Sequence, residues 1–390
     1  MRKLLLNLHL WAGLIAALFL LLLGVSGALV AFEGEIDRAL NPKLSYVEPQ
    51  GQPLTLEAIS AKLLAAYPGA KIEMFGMPER ANYSLFVALT DPSRKHLALF
   101  VNPYTGEVLG SADQANHFAN KVHQFHTHLL VGEFADEITG WSAIFLLVLS
   151  ITGIVLWWPR KLFRLPLDFL RGQGSAKRFN FDLHNLVGVA SSAFLFIFAW
   201  TAICIHWERE VGKLAQEMSP TRTPHAASPQ IPAPGSVPLS PDRIVQIAHN
   251  TFPEARITGI QLPGNAKQAV TVGLKFPEDH TPAGRSRLSI DAYSGKVLQV
   301  QSSREMSAPL KYARMWNREL HTGDILNLPT RILAAFFSLM LPVLAITGPL
   351  IWWNRRRASQ VAQPPSAVAP PKVNTVNGAC DTQFPSTRLL

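Results

Sequence analysis

Four histidines fall into two pairs at related spacings: His9 and His184 stand 175 residues apart, and His126 and His321 stand 195 apart. A neutral imidazole donates from one ring nitrogen and offers the lone pair of the other. It therefore suits an iron centre that needs an axial nitrogen on each side. Another cluster, His123, His126 and His128, reads H-x-x-H-x-H. On a helix the first two share a face and the third points elsewhere, so a tetrahedral metal site there would need a further ligand from another segment. The exterior segments 33–138 and 208–328 carry no nucleophile motif, no glycine-rich phosphate loop and no pair of carboxylates placed for acid–base work.

Chemistry by two distant pairs requires elements that bring them together. Hydrophobic residues make up 48% of the 390 and charged ones 16%, too apolar for an ordinary soluble enzyme. The excess is concentrated in four stretches, each long enough to cross about 30 Å of hydrocarbon. These divide the chain into spans at 1–32, 139–158, 184–207 and 329–353, with segments 33–138, 159–183, 208–328 and 354–390 between and after them. The first begins like a secretory signal, but its apolar run is longer than a signal needs.

Positive charge collects at one end of every span: Arg2 and Lys3; Arg160, Lys161, Arg164, Arg171, Lys177 and Arg178; then Arg355, Arg356 and Arg357. By the positive-inside rule both termini and the 159–183 loop are cytoplasmic, and 33–138 and 208–328 lie outside. The formal charge of +9 is then mostly topology, and no nucleic-acid partner is expected. Cys204 falls in a span and Cys380 in the tail, so no disulfide is expected between them.

The chain repeats itself. ITGIVLWW at 151–158 returns as ITGPLIWW at 346–353, and NPYTGEVL at 102–109 as DAYSGKVL at 291–298. PLTLEAISAKLLAAYPGAKI at 53–72 returns as PLSPDRIVQIAHNTFPEARI at 238–257. The offset grows steadily along the chain, as a duplication with loop insertions requires. Each half is one span, one exterior module and one returning span, which makes a parallel internal repeat about an axis along the membrane normal.

Each module reads as α+β. In the first, Leu56, Ile59, Leu63 and Leu64 share one helical face over 55–67, a Pro-Gly break follows, and apolar runs at 83–89 and 96–101 lead through a Tyr-Thr-Gly turn to a short last strand from Glu107. An amphipathic helix carrying His123 to His128 leads into the second span. The fold class is a membrane protein: a four-helix transmembrane bundle with two such modules outside. Pro342 and Pro349 should bend the fourth span. Gly13, Gly24, Gly27, Gly153, Gly188 and Gly348 would allow close helix approach, or room for a flat cofactor. Trp157, Trp158, Trp352 and Trp353 read as an interfacial belt. The Pro/Ala/Ser-rich tail and the 219–241 linker read as disordered.

Within this frame His9 and His184 sit where spans meet the cytoplasm, and His126 and His321 just before spans on the outside. One haem near each face, with one imidazole from each half, accounts for both pairs. Polar anchoring at the interface is the plain alternative, and for the outer site His206 or His128 could replace a member. His206 has no counterpart in the first half, where Ala31 takes the matching place.

The helix followed by strands ending in Y-[ST]-G-x-[VI] resembles the PepSY domain. His9-x-Trp11-x-Gly13-Leu14, the His-rich segment before the second span and the TG-x-x-[LI]-WW endings resemble PepSY-associated transmembrane proteins over about residues 1–357. In the second half His321-Thr322-Gly323-Asp324 stands where the first has His126-Thr127-His128-Leu129, a departure that keeps the histidine and alters the polar character after it. The resemblance implies a bacterial inner-membrane protein with two periplasmic PepSY-like modules, similar to ferric-siderophore reductases that carry haem b. On that reading electrons from a cytoplasmic flavin or quinol donor pass through two haems to a ferric siderophore or other Fe(III) chelate. The competing expectation is a haem-free PepSY scaffold that binds a periplasmic partner or modulates a peptidase.

Overall fold

The structure, a computed structural model, describes residues 1–112, 118–129, 133–158, 175–219, 236–265 and 267–361. Its elements run α1 (Arg2–Val30), α2 (Glu33–Leu40), α3 (Pro42–Ser45), α4 (Leu56–Ala66), β1 (Lys71–Gly76), β2 (Leu85–Thr90), β3 (His96–Val101) and β4 (Val108–Ala112). Then come α5 (Phe118–His128), α6 (Glu133–Trp157), α7 (Ala176–His206) and α8 (Glu208–Met218). The second half continues through α9 (Pro241–Thr251), β5 (Arg256–Gln261), β6 (Val270–Lys275), β7 (Ser286–Ile290) and β8 (Val297–Gln301). It closes with α10 (Ala308–Lys311), α11 (Asn317–Thr322), α12 (Leu328–Ser338) and α13 (Met340–Val361).

Among the described residues four helical segments are long and apolar enough to cross a membrane: Arg2–Val30, Asp136–Trp157, Ala176–His206 and Leu328–Arg357. Two boundaries differ from the sequence reading. The third span begins two turns early, because Ser175 caps it by accepting from the Arg178 N–H. The last helix runs through 354–361 rather than ending in a disordered tail, with Arg356 over the Trp352 ring and Arg357 over Trp353. The rest of that tail with Cys380, most of the linker and most of the basic loop lie outside the described residues.

The helices form a ring in which α1 packs on α6, α6 on α7, α7 on α13 and α13 on α1. Ala16, Leu20, Leu146, Leu195, Phe198 and Leu341 fill its centre, and Phe194 stacks on Phe337 with ring centres 3.9 Å apart. Trp11, Leu18, Val155 and Phe336 face outward, as helices bathed in lipid require. The fourth span breaks at Leu339, between α12 and α13. The cause is Pro342, whose ring displaces the carbonyl of Ser338 one turn back. The break brings α1 close: a Cβ on Gly24 would lie 2.7 Å from both Leu341 and Pro342, and Ser338 donates to the Gly24 carbonyl at 2.9 Å. Arg331 at the start of α12 closes the same seam with two 2.8 Å bonds to Glu35, and it also donates to the Ala31 carbonyl.

The two modules make one sheet. Its order is β4-β3-β2-β1-β5-β6-β7-β8, antiparallel throughout, with β1 and β5 joined through Met74↔Gln261, Phe75↔Ile260 and Gly76↔Gly259. A single core lies under α4 and α9, centred on the fully buried Phe75, Ile260, Leu63 and Ile244. Strand β1 escapes the sequence pattern because a bulge between Ile72 and Met74 interrupts its alternation. Asp242 of α9 accepts from the Leu56 and Glu57 N–H groups at 2.9 and 2.8 Å, capping α4 across the seam. Asp242→Ala is expected to cost about 1 kcal/mol, read as a lower thermal midpoint of the strand circular-dichroism signal. An unchanged midpoint would show that the cap adds nothing.

Candidate functional site: two facing histidine pairs

His9 on α1 and His184 on α7 face each other across the bundle with ring centres 6.4 Å apart and planes at 85°. Each is held from behind. The His9 Nδ1 lies 2.8 Å from the Thr152 hydroxyl on α6, and the His184 Nδ1 lies 2.8 Å from the Thr347 hydroxyl on α13. Those hydroxyls donate their own hydrogens to the Val148 and Val343 carbonyls one turn back, at 2.6 and 2.7 Å. With its hydrogen spent, each threonine oxygen can only accept. Nδ1 must then carry the ring proton, and the Nε2 lone pair is left free.

The second pair repeats the device. His126 on α5 and His321 on α11 have ring centres 6.3 Å apart. The His126 Nδ1 meets Ser26 of α1 at 3.0 Å, and the His321 Nδ1 meets Thr201 of α7 at 2.9 Å. Ser26 donates to Leu22 at 2.8 Å and Thr201 to Ile197 at 2.6 Å, so both rings again donate from Nδ1. Burial, then the neighbouring His321 ring, pushes His126 down to about 3. Burial, then Arg318, pushes His321 down to about 4. Both are neutral at ordinary pH, the state that a ligand nitrogen requires.

The remaining histidines do not join a pair. His123 bonds to Glu33 at 3.0 Å, which raises its pKa, and His128 bonds to Asp136. The H-x-x-H-x-H segment thus sends its three rings to three different partners, and no group of three or more metal-ligating side chains is found among the described residues. His206 sits against Gly140, where a Cβ would fall 2.6 Å from its ring, and lies edge-on to Trp207 at 4.5 Å. Its partner in the first half is Ala31, so His206 fills the gap that Gly140 leaves. Cys204 is buried and free.

Do these pairs fit an iron between them? Two imidazoles bound on opposite sides of one metal ion, each at roughly 2 Å, place their ring centres roughly 6 to 6.5 Å apart. Both observed separations lie in that range. At the first pair a cleft of about 340 Å³ opens between the four helices, with Gly13, Gly153, Gly188 and Gly348 in its walls and Arg2 and Arg355 beside it. A Cβ on Gly153 would stand 3.3 Å from the His9 ring and one on Gly348 3.4 Å from the His184 ring. These two and Gly27, next to His126, make room for the paired imidazoles, as Gly140 does for His206, whereas Gly24 serves helix packing. At the first pair the donor set, its tautomers and the cleft fit a bis-imidazole haem, and at the second the donor set and its tautomers do.

Sequence reasoning located the four histidines and missed the four hydroxyls behind them. The signal was present: Ser26 and Thr201 share the 175-residue offset of His9 and His184, and Thr152 and Thr347 share the 195-residue offset of the other pair. The twice-written Thr-Gly is thereby explained, the threonine holding a histidine and the glycine leaving space for its ring.

No curated protein sequence matches the chain. The PepSY-associated TM region matches residues 6–355, which takes in all four apolar helices, both modules and both histidine pairs. On this match the chain belongs to the PepSY-associated TM family, a multi-pass membrane protein.

Proposed function

We propose that the chain is a haem-dependent reductase of the bacterial inner membrane, moving electrons outward to Fe(III) held by a chelator such as a siderophore. The observation that carries this reading is the pair of facing imidazole couples, each ring fixed by a back-bonded hydroxyl so that two Nε2 lone pairs are free at each end of one helix bundle. A haem b bound at each would supply reversible one-electron chemistry near each face of the membrane, fed from a cytoplasmic flavin or quinol. His9 and His184 bind at the end bearing the basic residues, and His126 and His321 at the sheet end. Thr152, Thr347, Ser26 and Thr201 orient the rings and fix the proton on Nδ1. The stacked Phe194 and Phe337 exclude water from the middle of the bundle.

The clustering of arginines and lysines supports cytoplasmic termini and a periplasmic sheet, and the common order of elements in the two halves supports a parallel repeat. Reporter fusions at Gly110 and Gly295 are expected to report the periplasm; cytoplasmic signals from both would overturn this topology. The decisive experiment is the absorption spectrum of the purified protein. A Soret band with α bands that sharpen on reduction is expected. Protein purified from haem-supplied cells that shows no such bands would instead support a scaffold that binds a periplasmic partner.

A further inference from the structure

A cavity of about 2130 Å³ lies between one face of the sheet and the helix ends that carry the outer histidines. It reaches within one helical turn of the pair: His123 and Arg318, each three residues before a paired histidine, are in its wall.

Two features mark it as a binding site. The first is a row of directly paired residues across five strands: Gly76, Gly259 and Gly273, then Arg287 and Gln301. All five face the cavity. Three successive strands lacking a side chain at one level keep the sheet low there, with the Thr258 hydroxyl beside Gly273 as a polar contact, so that a bulky ligand can approach the backbone closely. Next to the three glycines the row carries the cation Arg287, and it ends on Gln301.

The second is the charge. Among the cavity's acids, Glu33 is engaged by His123, Asp136 by His128, and Asp324 by Thr322, while Glu137 lines the wall on the α6 side. Helix α8 carries Glu208, Glu210 and Glu217 with Arg209 and Lys213, and Lys213 stands three residues from Glu210 and four from Glu217. Arg285, Arg287, Arg314 and Arg318 remain. Among the described residues no carboxylate lies within ion-pair distance of any of these four; Glu208 and Glu319 act on Arg285 only from further away. The Arg285 Nε is buried with no hydrogen-bond partner, and Arg318 stands near enough to repel it. An orphaned buried donor facing a second guanidinium is costly until an anion lies between them. Arg314 and Arg318, four residues apart where a π turn at Tyr312–Trp316 passes into α11, present two more forks to the same space.

We infer that this cavity binds a bulky, polyanionic metal chelate, its body on the Gly76–Gly259–Gly273 strip and its negative groups on Arg285, Arg287, Arg314 and Arg318. The identity of the metal as Fe(III) rests on the reductase reading; the anion selectivity does not. At this place the chelate stands one helical turn above the outer histidines, where an electron leaving the bundle would reach it.

The test uses redox-inert Ga(III) in two hexadentate chelates of similar size, a triply negative tris-catecholate and a neutral tris-hydroxamate. Binding is titrated calorimetrically on the full-length protein in nanodiscs of neutral phosphatidylcholine. The anionic chelate is expected to bind at least about tenfold more tightly and to weaken with added salt. Arg314→Gln and Arg318→Gln should each weaken it by about 10- to 100-fold, while Arg314→Lys, which keeps the charge, loses less. Arg314 is exposed, so its variants test the site without disturbing the core. Equal affinity for the two chelates, or unchanged binding in both glutamine variants, overturns the inference. So does displacement of the chelate by a low fraction of phosphatidylglycerol, which would assign the arginines to lipid headgroups. Haem-free protein that still prefers the anionic chelate would sink the reductase reading and leave this site standing. Haem-replete protein without that preference would do the reverse.

Discussion

His9→Ala and His184→Ala are each expected to abolish the same low-spin haem, the one at the basic end of the bundle, and to leave the other intact. The rings stand 6.4 Å apart between centres, so a metal bound by one is within bonding range of the other. Loss of either leaves a single axial nitrogen, and the site should turn high-spin or empty. His126→Ala and His321→Ala should act in the same way on the second haem. On the proposed two-haem electron path, any of the four substitutions should lower Fe(III) reduction by more than the roughly 10- to 100-fold typical of losing an outer-shell partner. Haem content per protein, with spectra of the oxidised and reduced forms, reads the result. If His9→Ala retained a full complement of unaltered low-spin haem, the pairing would be wrong.

Thr152→Val and Thr347→Val should weaken haem binding at the first site by roughly 10- to 100-fold with little change in fold. Valine keeps the shape of threonine and removes only the oxygen that accepts from Nδ1 at 2.8 Å. The ring then has a buried N–H with no acceptor and is free to turn its lone pair away from its partner. Thr152→Ser should restore most of the affinity, since its hydroxyl can both donate to Val148 and accept from His9. Haem titration of the apo-protein, with the midpoint potential of the loaded site, distinguishes orientation from packing. Wild-type affinity and potential in both valine variants would mean that the threonines cap the helix carbonyls and do nothing for the histidines.

Legibility in the sequence depended on whether a feature is imposed locally. The spans were legible because crossing hydrocarbon imposes length and apolarity on consecutive residues. Strands β2 and β3 were legible for a similar reason, each being a short apolar run. Strand β1 was not, since its bulge puts Ile72 and Phe75 on the core side three residues apart, a spacing that suits a helix face rather than a regular strand. The segment leading into the second span offered three closely spaced histidines and no means of choosing among them. Only the partners Glu33, Ser26 and Asp136, drawn from three other helices, sort them.

By itself the sequence determined the four spans, the two similar modules and the pairing of four histidines, because each of these is written in residue order or in segments that recur along the chain. Tertiary structure alone decided that the modules fuse through β1 and β5 into one sheet, since register between strands some 185 residues apart depends on side chains meeting in a common core. It alone decided which hydroxyl stands behind which imidazole. Facing distances, tautomers and the alignment of Gly76, Gly259 and Gly273 under a cluster of arginines arise from helices and strands that only folding brings side by side.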